Sequence, residues 1–252
     1  MSRRDQYYNK AKQQGYRSRA AYKLKQLDDT ANLIDEHATV VDLGAAPGGW
    51  LQVAHELAGD EGTVIGVDRQ RIKPIDGCET IKGDMTDAET RERLHERIGK
   101  ADVVLSDMAP NMSGEYSLDH ARSIHLARQA FETALAVLAP DGAFVVKVFD
   151  GPDLSKFRSD IESEFQYVRA VRPDASRDES SELYLVGKGR LTAPVQVGDE
   201  LDVEIVDTGH EGDGIAKVDG YTLFVPDTEV GETVRTRIDD VKPNFGFGER
   251  ME

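Results

Sequence analysis

The sequence predicts an α/β fold, a mainly parallel sheet with flanking helices, followed by a small C-terminal β-barrel. From Thr39 to about Leu191, short apolar runs alternate with amphipathic stretches, the pattern of strands joined by crossover helices. Past Leu191-Thr-Ala-Pro194 the helical spacing stops and strand-like alternation punctuated by glycine takes over. The 252 residues suffice for a medium domain and a small one. The expected division is a basic arm over 1–18, an α/β domain over 19–191 and a barrel over 192–252.

Taken in order, the strands of the sheet are expected at Thr39–Leu43, Thr63–Val67, Asp102–Ser106, Ala143–Phe149 and Glu182–Val186, each a run rich in β-branched or apolar residues. Apolar spacing predicts helices over Trp50–Ala58, Thr86–Ile98, Leu118–Leu138 and Asp153–Phe165. Four barrel strands are expected at Leu201–Val206, Ile215–Val218, Tyr221–Val225 and Thr233–Ile238. No long-period repeat or low-complexity tract interrupts the pattern.

Composition narrows the function classes. A single cysteine, Cys78, excludes an intramolecular disulfide and a cysteine-cluster metal site, and the six histidines show no ligand spacing, so no metal is expected. No apolar stretch reaches the roughly 18 residues of a membrane helix, and the polar start is unlike a signal peptide, so a cytoplasmic protein is expected. The net charge of −16 argues against nucleic acid, yet residues 1–25 carry eight basic side chains against one acid, Asp5. The remaining acid excess, spread over every segment, fits adaptation to high salt, where screening shortens the Debye length to about 3 Å at 1 M.

Two places carry chemistry. Val41-Asp-Leu-Gly-Ala-Ala-Pro-Gly-Gly-Trp50 reads as strand, glycine turn and helix start, where backbone can approach a ligand at the carboxyl edge of a sheet. It does not match a dinucleotide fingerprint. Asp68 ends the next strand about twenty residues on, suited to a ribose diol, and Asp84 follows a further short strand. Lys147 stands inside the apolar run Gly142–Phe149. A buried ammonium is costly unless paired or relieved of its proton; the alternative is an edge-strand lysine whose head reaches water.

Asp42–Trp50, Leu105-Ser-Asp-Met-Ala-Pro-Asn111, Val145-Val-Lys-Val-Phe149 and Ser180-Ser-Glu-Leu-Tyr184 together resemble the FtsJ/RrmJ family of ribosomal RNA 2′-O-methyltransferases, and Arg17–Leu24 matches its leading helix. The resemblance implies a Rossmann-like methyltransferase sheet, S-adenosylmethionine as methyl donor, and a catalytic tetrad at Lys23, Asp107, Lys147 and Glu182. It implies cofactor contacts from Gly48, Trp50, Asp68, Asp84 and Asp107. Gly212-Asp-Gly-Ile-Ala216, Leu223-Phe-Val-Pro226 and Gly231-Glu-Thr-Val234 resemble the TRAM domain, a small barrel found on RNA-modifying enzymes. Bacterial relatives lack that appendage.

The implied activity is methylation of a ribose 2′-hydroxyl, of a uridine in large-subunit rRNA, with Lys147 as proton acceptor or, staying charged, as the group that orients the hydroxyl. The partner is then rRNA or an assembling large subunit, bound by a monomer. Alternatives are a tRNA or cap 2′-O-methyltransferase, and a ribosome-assembly factor with incidental methylation. Arg3, Arg4, Lys10, Lys12, Arg17 and Arg19 are expected to contact phosphates. Tyr7, Tyr8, Tyr16 and Tyr22 are expected either to stack on bases or to pack a terminal helix.

Overall fold

The computed structural model of the chain describes residues 3–110, 113–176, 181–209, 212–242 and 245–251, with residues 3–5 described by their backbone alone. It contains two compact units, Met1–Arg190 and Leu191–Glu252.

The first unit is a three-layer sandwich around a seven-stranded sheet. Its strands are β1 (Thr39–Leu43), β2 (Thr63–Asp68), β3 (Cys78–Lys82), β4 (Ala101–Ser106), β5 (Leu138–Phe149), β6 (Phe165–Val171) and β7 (Glu182–Arg190), in the order β3-β2-β1-β4-β5-β7-β6. Helices α1 (Arg3–Gln13), α2 (Ala21–Ala31) and α3 (Gly49–Ala58) precede α4 (Ala88–Ile98), α5 (Tyr116–Val137) and α6 (Leu154–Glu162). All five expected strands form. β3, the further short strand expected ahead of Asp84, and β6, which was not expected, complete the sheet. β3 carries one buried residue, Ile81, so a periodic apolar signal is almost absent.

The sheet is parallel except at β7, which runs antiparallel to both β5 and β6. The chain passes from β5 through α6 to β6, then turns back and inserts β7 between them. An antiparallel insertion puts the first residue of β7 at the carboxyl edge of β5, so Glu182 lies opposite Phe149 and Tyr184 opposite Lys147.

Strand parity sorts the core. Val41, Ile65, Val104, Phe144, Val146 and Leu185 pack on the face covered by α4, α5 and α6. Val40, Val103, Leu105, Val145, Tyr184 and Val186 pack on the other face with Leu24, Leu27, Leu51 and Val53 of α2 and α3. Lys147 shares the parity of Val145, and Glu182 that of Tyr184 and Val186, so both point toward α2. At the far end of α2, Asn32 takes up a left-handed conformation, and Lys188 Nζ donates to the carbonyls of Ala31 (2.9 Å) and Asn32 (2.7 Å).

The second unit is a closed five-stranded barrel of β8 (Glu200–Thr208), β9 (Gly214–Val218), β10 (Tyr221–Val225), β11 (Thr233–Val241) and β12 (Phe245–Arg250). The expected count was four. β12 reads Phe-Gly-Phe-Gly, with glycine in the inward positions, so its apolar phase is opposite to that of a core strand.

Candidate active site

Four side chains from four elements meet at the carboxyl edge of the sheet. Lys23 comes from the first turn of α2, Asp107 from the loop just after β4, Lys147 from β5 and Glu182 from the start of β7. Lys147 Nζ donates to the Asp107 Oδ1 (2.8 Å) and to its backbone carbonyl (2.5 Å). Lys23 Nζ lies 2.6 Å from Glu182 Oε1 and 3.9 Å from Asp107 Oδ1. Lys23, Lys147 and Glu182 are each 7–8% exposed. β5 lies between β4 and β7, so Lys147 is no edge-strand lysine; its charge is met by a carboxylate instead of water.

Tyr184 donates its hydroxyl to the same Asp107 Oδ1 at 2.6 Å. Burial raises the Asp107 pKa, but the charges of Lys147 and Lys23 and the hydrogen bonds from Lys147 and Tyr184 outweigh it and hold the carboxyl below its ordinary value. The Tyr184 phenol is pushed well above its ordinary value by burial, then by Asp107 and Glu182, so it stays a donor.

Asp107 also lines a cavity of about 1070 Å³ that runs to the ends of β1, β2 and β3. Asp68 stands in it, oriented by the backbone amides of Ala46 (2.9 Å to Oδ2) and Gln70 (2.7 Å to Oδ1). Asp84 is held by the amide and hydroxyl of Thr86, which lower its pKa. Gly44 is required here: its φ is +80°, and an added Cβ would run into Met108. Met85, Met108 and Leu126 supply apolar wall, with Arg122 and His125 on the α5 side. None of these five was singled out from sequence, although Arg122 and Leu126 share one face of α5 at helical spacing.

Gly48 and Trp50 do not line the cavity. Gly48 has φ +107°, and a Cβ there would meet Ile75 Cδ1 at 2.6 Å. Trp50 is 3% exposed, its indole N–H donates to the Ala20 carbonyl (2.7 Å), and its ring packs on Tyr184 at 5.8 Å. Both therefore shape the turn between β1 and α3 and join it to α2.

The basic arm differs from expectation. Arg17 donates to the carbonyls of Pro47 (3.2 Å), Lys73 (2.6 Å) and Pro74 (2.5 Å), and Arg19 to that of Ala175 (2.6 Å). A guanidinium fork that satisfies backbone carbonyls is not turned toward a phosphate. Lys10 sits over the Tyr22 ring, 4.7 Å from its centroid. Tyr7 and Tyr16 pack on Tyr22 at 5.5 and 5.8 Å, the terminal-helix role, while Tyr8 is exposed. The side chains of Arg3 and Arg4, and the motif residues Asn111 and Ser180, lie outside the described residues. Among the described residues no group of three or more His, Cys, Asp or Glu is placed to hold a metal, and no helix is long and apolar enough to cross a membrane.

Residues 16–190 match the model of the FtsJ-like methyltransferases. The chain belongs to that family. Residues 194–250 match the TRAM domain. The chain is 68% identical, over all of both chains, to a protein of Natronomonas pharaonis named ribosomal RNA large subunit methyltransferase E. Proteins of the same name are 62% identical in Halorubrum lacusprofundi (100% of this chain, 95% of that one) and 51% in Methanosarcina mazei (99% and 93%). A crystal structure assigned as a ribosomal RNA methyltransferase of Plasmodium falciparum superposes with a TM-score of 0.65 at 28% identity, covering 71% of this chain and all of that one.

FtsJ-like enzymes use S-adenosylmethionine, and it is the cofactor of this protein. The cavity fits it. The volume accommodates a nucleoside with an amino-acid tail, Asp68 and Asp84 offer oriented carboxylates to hydroxyls and amines, and the methionines offer apolar contact.

Proposed function

We propose that this FtsJ-like methyltransferase methylates the 2′-hydroxyl of a uridine ribose in large-subunit rRNA, in the cytoplasm, with Lys147 taking the hydroxyl proton. The observation that carries the reading is the Lys23–Glu182 and Lys147–Asp107 arrangement at the lip of a cavity that shares Asp107 with it. The names of the relatives give the RNA class.

Bound S-adenosylmethionine would supply an activated methyl group. Asp68 would hold its ribose hydroxyls, Asp84 its adenine amino group, and Asp107 would face both it and the nucleotide; Gly48 and Trp50 hold the turn after β1. To act as the base, Lys147 must first give to solvent the proton of the charge that Asp107 meets; the amine that is left has two N–H donors and one lone pair. The side-chain and backbone oxygens of Asp107 match the two donors, which leaves the lone pair for the 2′-hydroxyl proton. Lys23, held by Glu182, orients the ribose, and Tyr184 keeps Asp107 from rotating away. Lys12, exposed on α1, reaches phosphate.

The test is mass-spectrometric mapping of ribose methylation in large-subunit rRNA with and without the protein, alongside Lys147→Ala and Lys147→Met. A general base contributes about 10²–10⁴-fold, so both variants should lose turnover by at least that factor and keep S-adenosylmethionine affinity. Near-normal turnover in either variant removes Lys147 as the base, and unmethylated target RNA removes the substrate assignment.

A further inference from the structure

Tyr116, the first residue of α5, is 60% exposed yet fixed at two points. Its hydroxyl donates to the Asp150 carbonyl at 2.6 Å, and one face of its ring stacks on His120, with centroids 6.5 Å apart and planes 14° from parallel. His120 is itself buried and held: Nδ1 lies 3.2 Å from the Phe149 carbonyl, and the Asp153 amide donates to Nε2 at 3.3 Å. Gly151 makes room for the imidazole, since a Cβ there would run into it. The turn after β5 is built around His120, and the outer face of Tyr116 is left bare. A residue kept only to close the turn needs the hydroxyl, not a fixed ring in water.

The ring stands beside the tetrad. Phe149 lies opposite Glu182 in the ladder, the Asp150 amide donates to the Ser181 carbonyl at 2.9 Å, and Lys147 to Asp150 is about 10 Å of extended chain. On α5, Arg122 and Leu126 line the cofactor cavity, whereas Tyr116 and His120, one turn apart, meet the turn after β5. The tetrad therefore stands between the cavity and Tyr116. In-line methyl transfer puts the acceptor nucleotide on the side of the methyl group away from the cofactor, which is the side of Tyr116. Charge decides which part of the nucleotide faces the ring. Glu115, Asp150 and Asp153 are exposed next to it, so a phosphate is repelled there and a neutral base is not.

We propose that Tyr116 is the platform on which the base of the target nucleotide stacks while its 2′-hydroxyl meets Lys147. The proposal rests on the reading of the tetrad as the ribose site and adds the group that holds the base. Fixed at its hydroxyl and along one face, Tyr116 loses little rotamer freedom when a base arrives, so the stacking interaction goes into binding. A base splayed out of its RNA helix needs such a surface, and stacking tolerates every base. Tyr116 therefore sets where the nucleotide sits, not which nucleotide it is.

Tyr116→Trp makes the stacking visible, because Trp50, the chain's only tryptophan, is 3% exposed. Titrating the full-length variant with oligouridine, without S-adenosylmethionine, should quench the added fluorescence, while the wild-type signal stays nearly constant. No quenching up to about 1 mM oligouridine overturns the proposal. In methyl transfer to large ribosomal subunits that lack the modification, Tyr116→Ala should lower kcat/KM for the subunit about ten- to a hundredfold at unchanged S-adenosylmethionine affinity. Tyr116→Phe, which keeps the ring and drops the hydroxyl, should restore it to within about threefold of wild type. Equal loss in Tyr116→Phe and Tyr116→Ala overturns the platform in favour of a hydroxyl that merely holds the turn, and wild-type kcat/KM in Tyr116→Ala overturns it outright. Quenching by oligouridine together with unmethylated subunits upholds the platform and removes the substrate assignment, so the two readings fail separately.

Discussion

Lys147 and Asp42 are two buried charge-bearing residues on one face of one sheet, with opposite fates. Lys147 finds a carboxylate and a carbonyl within 2.8 Å. Asp42 in β1 is 1% exposed, neither carboxyl oxygen has a hydrogen-bond partner, and burial, then Asp107 and Asp68, raise its pKa well above the ordinary value. A carboxyl whose folded-state pKa is raised binds its proton more tightly folded than unfolded, so stability falls as pH rises above its unfolded value near ~3.9. Asp42→Asn removes that loss. The variant should melt higher than wild type at neutral pH, with the gap closing below about pH 4, at roughly 2–4 °C per kcal/mol for a chain of this size. A gap that stays constant across a buffer series would exclude the proton linkage. Asp68→Ala separates binding from chemistry: loss of a charged hydrogen-bond acceptor should weaken S-adenosylmethionine by about ten- to a hundredfold in titration calorimetry. The resemblance named Lys23, Asp107, Lys147 and Glu182, but the pairing of Lys23 with Glu182 and of Lys147 with Asp107 was not legible, because they are 159 and 40 positions apart in a chain that meets only when folded.

At the scale of elements, β7 decides the site. Had it been parallel, Glu182 would start at the opposite edge of the sheet from the end of β5; running antiparallel, it begins beside Phe149. Alternating apolar residues announce a strand over 182–186, but its direction depends on β6, which shows too little periodicity to be read in advance. Local preference and tertiary packing also disagree at Gly66 in β2. Valine is the better strand former, yet a Cβ there would meet Leu51 Cδ1 at 2.7 Å and Ala45 Cβ at 2.9 Å. Gly66→Val should therefore lower stability by about 1–3 kcal/mol in chemical denaturation. An unchanged midpoint would mean that α3 and the turn after β1 can yield.

At the scale of the molecule, a net charge of −16 sets how the protein meets its solvent. Repulsion among 47 acids is screened as salt rises, with a Debye length of about 10 Å at 0.1 M and about 3 Å at 1 M. The melting temperature should rise with KCl and level off above about 1 M, where the screening length falls below the spacing of surface charges. A flat profile in calorimetry would mean that the acids serve solubility alone. High identity to proteins of Natronomonas and Halorubrum agrees with the salt adaptation read from composition.

The sequence by itself determined the α/β order, the change of character near Leu191 and the glycine turn after β1, since each is written in local spacing or a contiguous motif. Tertiary structure alone decided that Arg17 and Arg19 are absorbed by backbone carbonyls, that Trp50 is buried against Tyr184, and that β12 turns its phenylalanines outward. Those outcomes depend on which distant group arrives within about 3 Å of a donor, or which side of a closed barrel a strand presents. Neither is encoded in the spacing of neighbours along the chain.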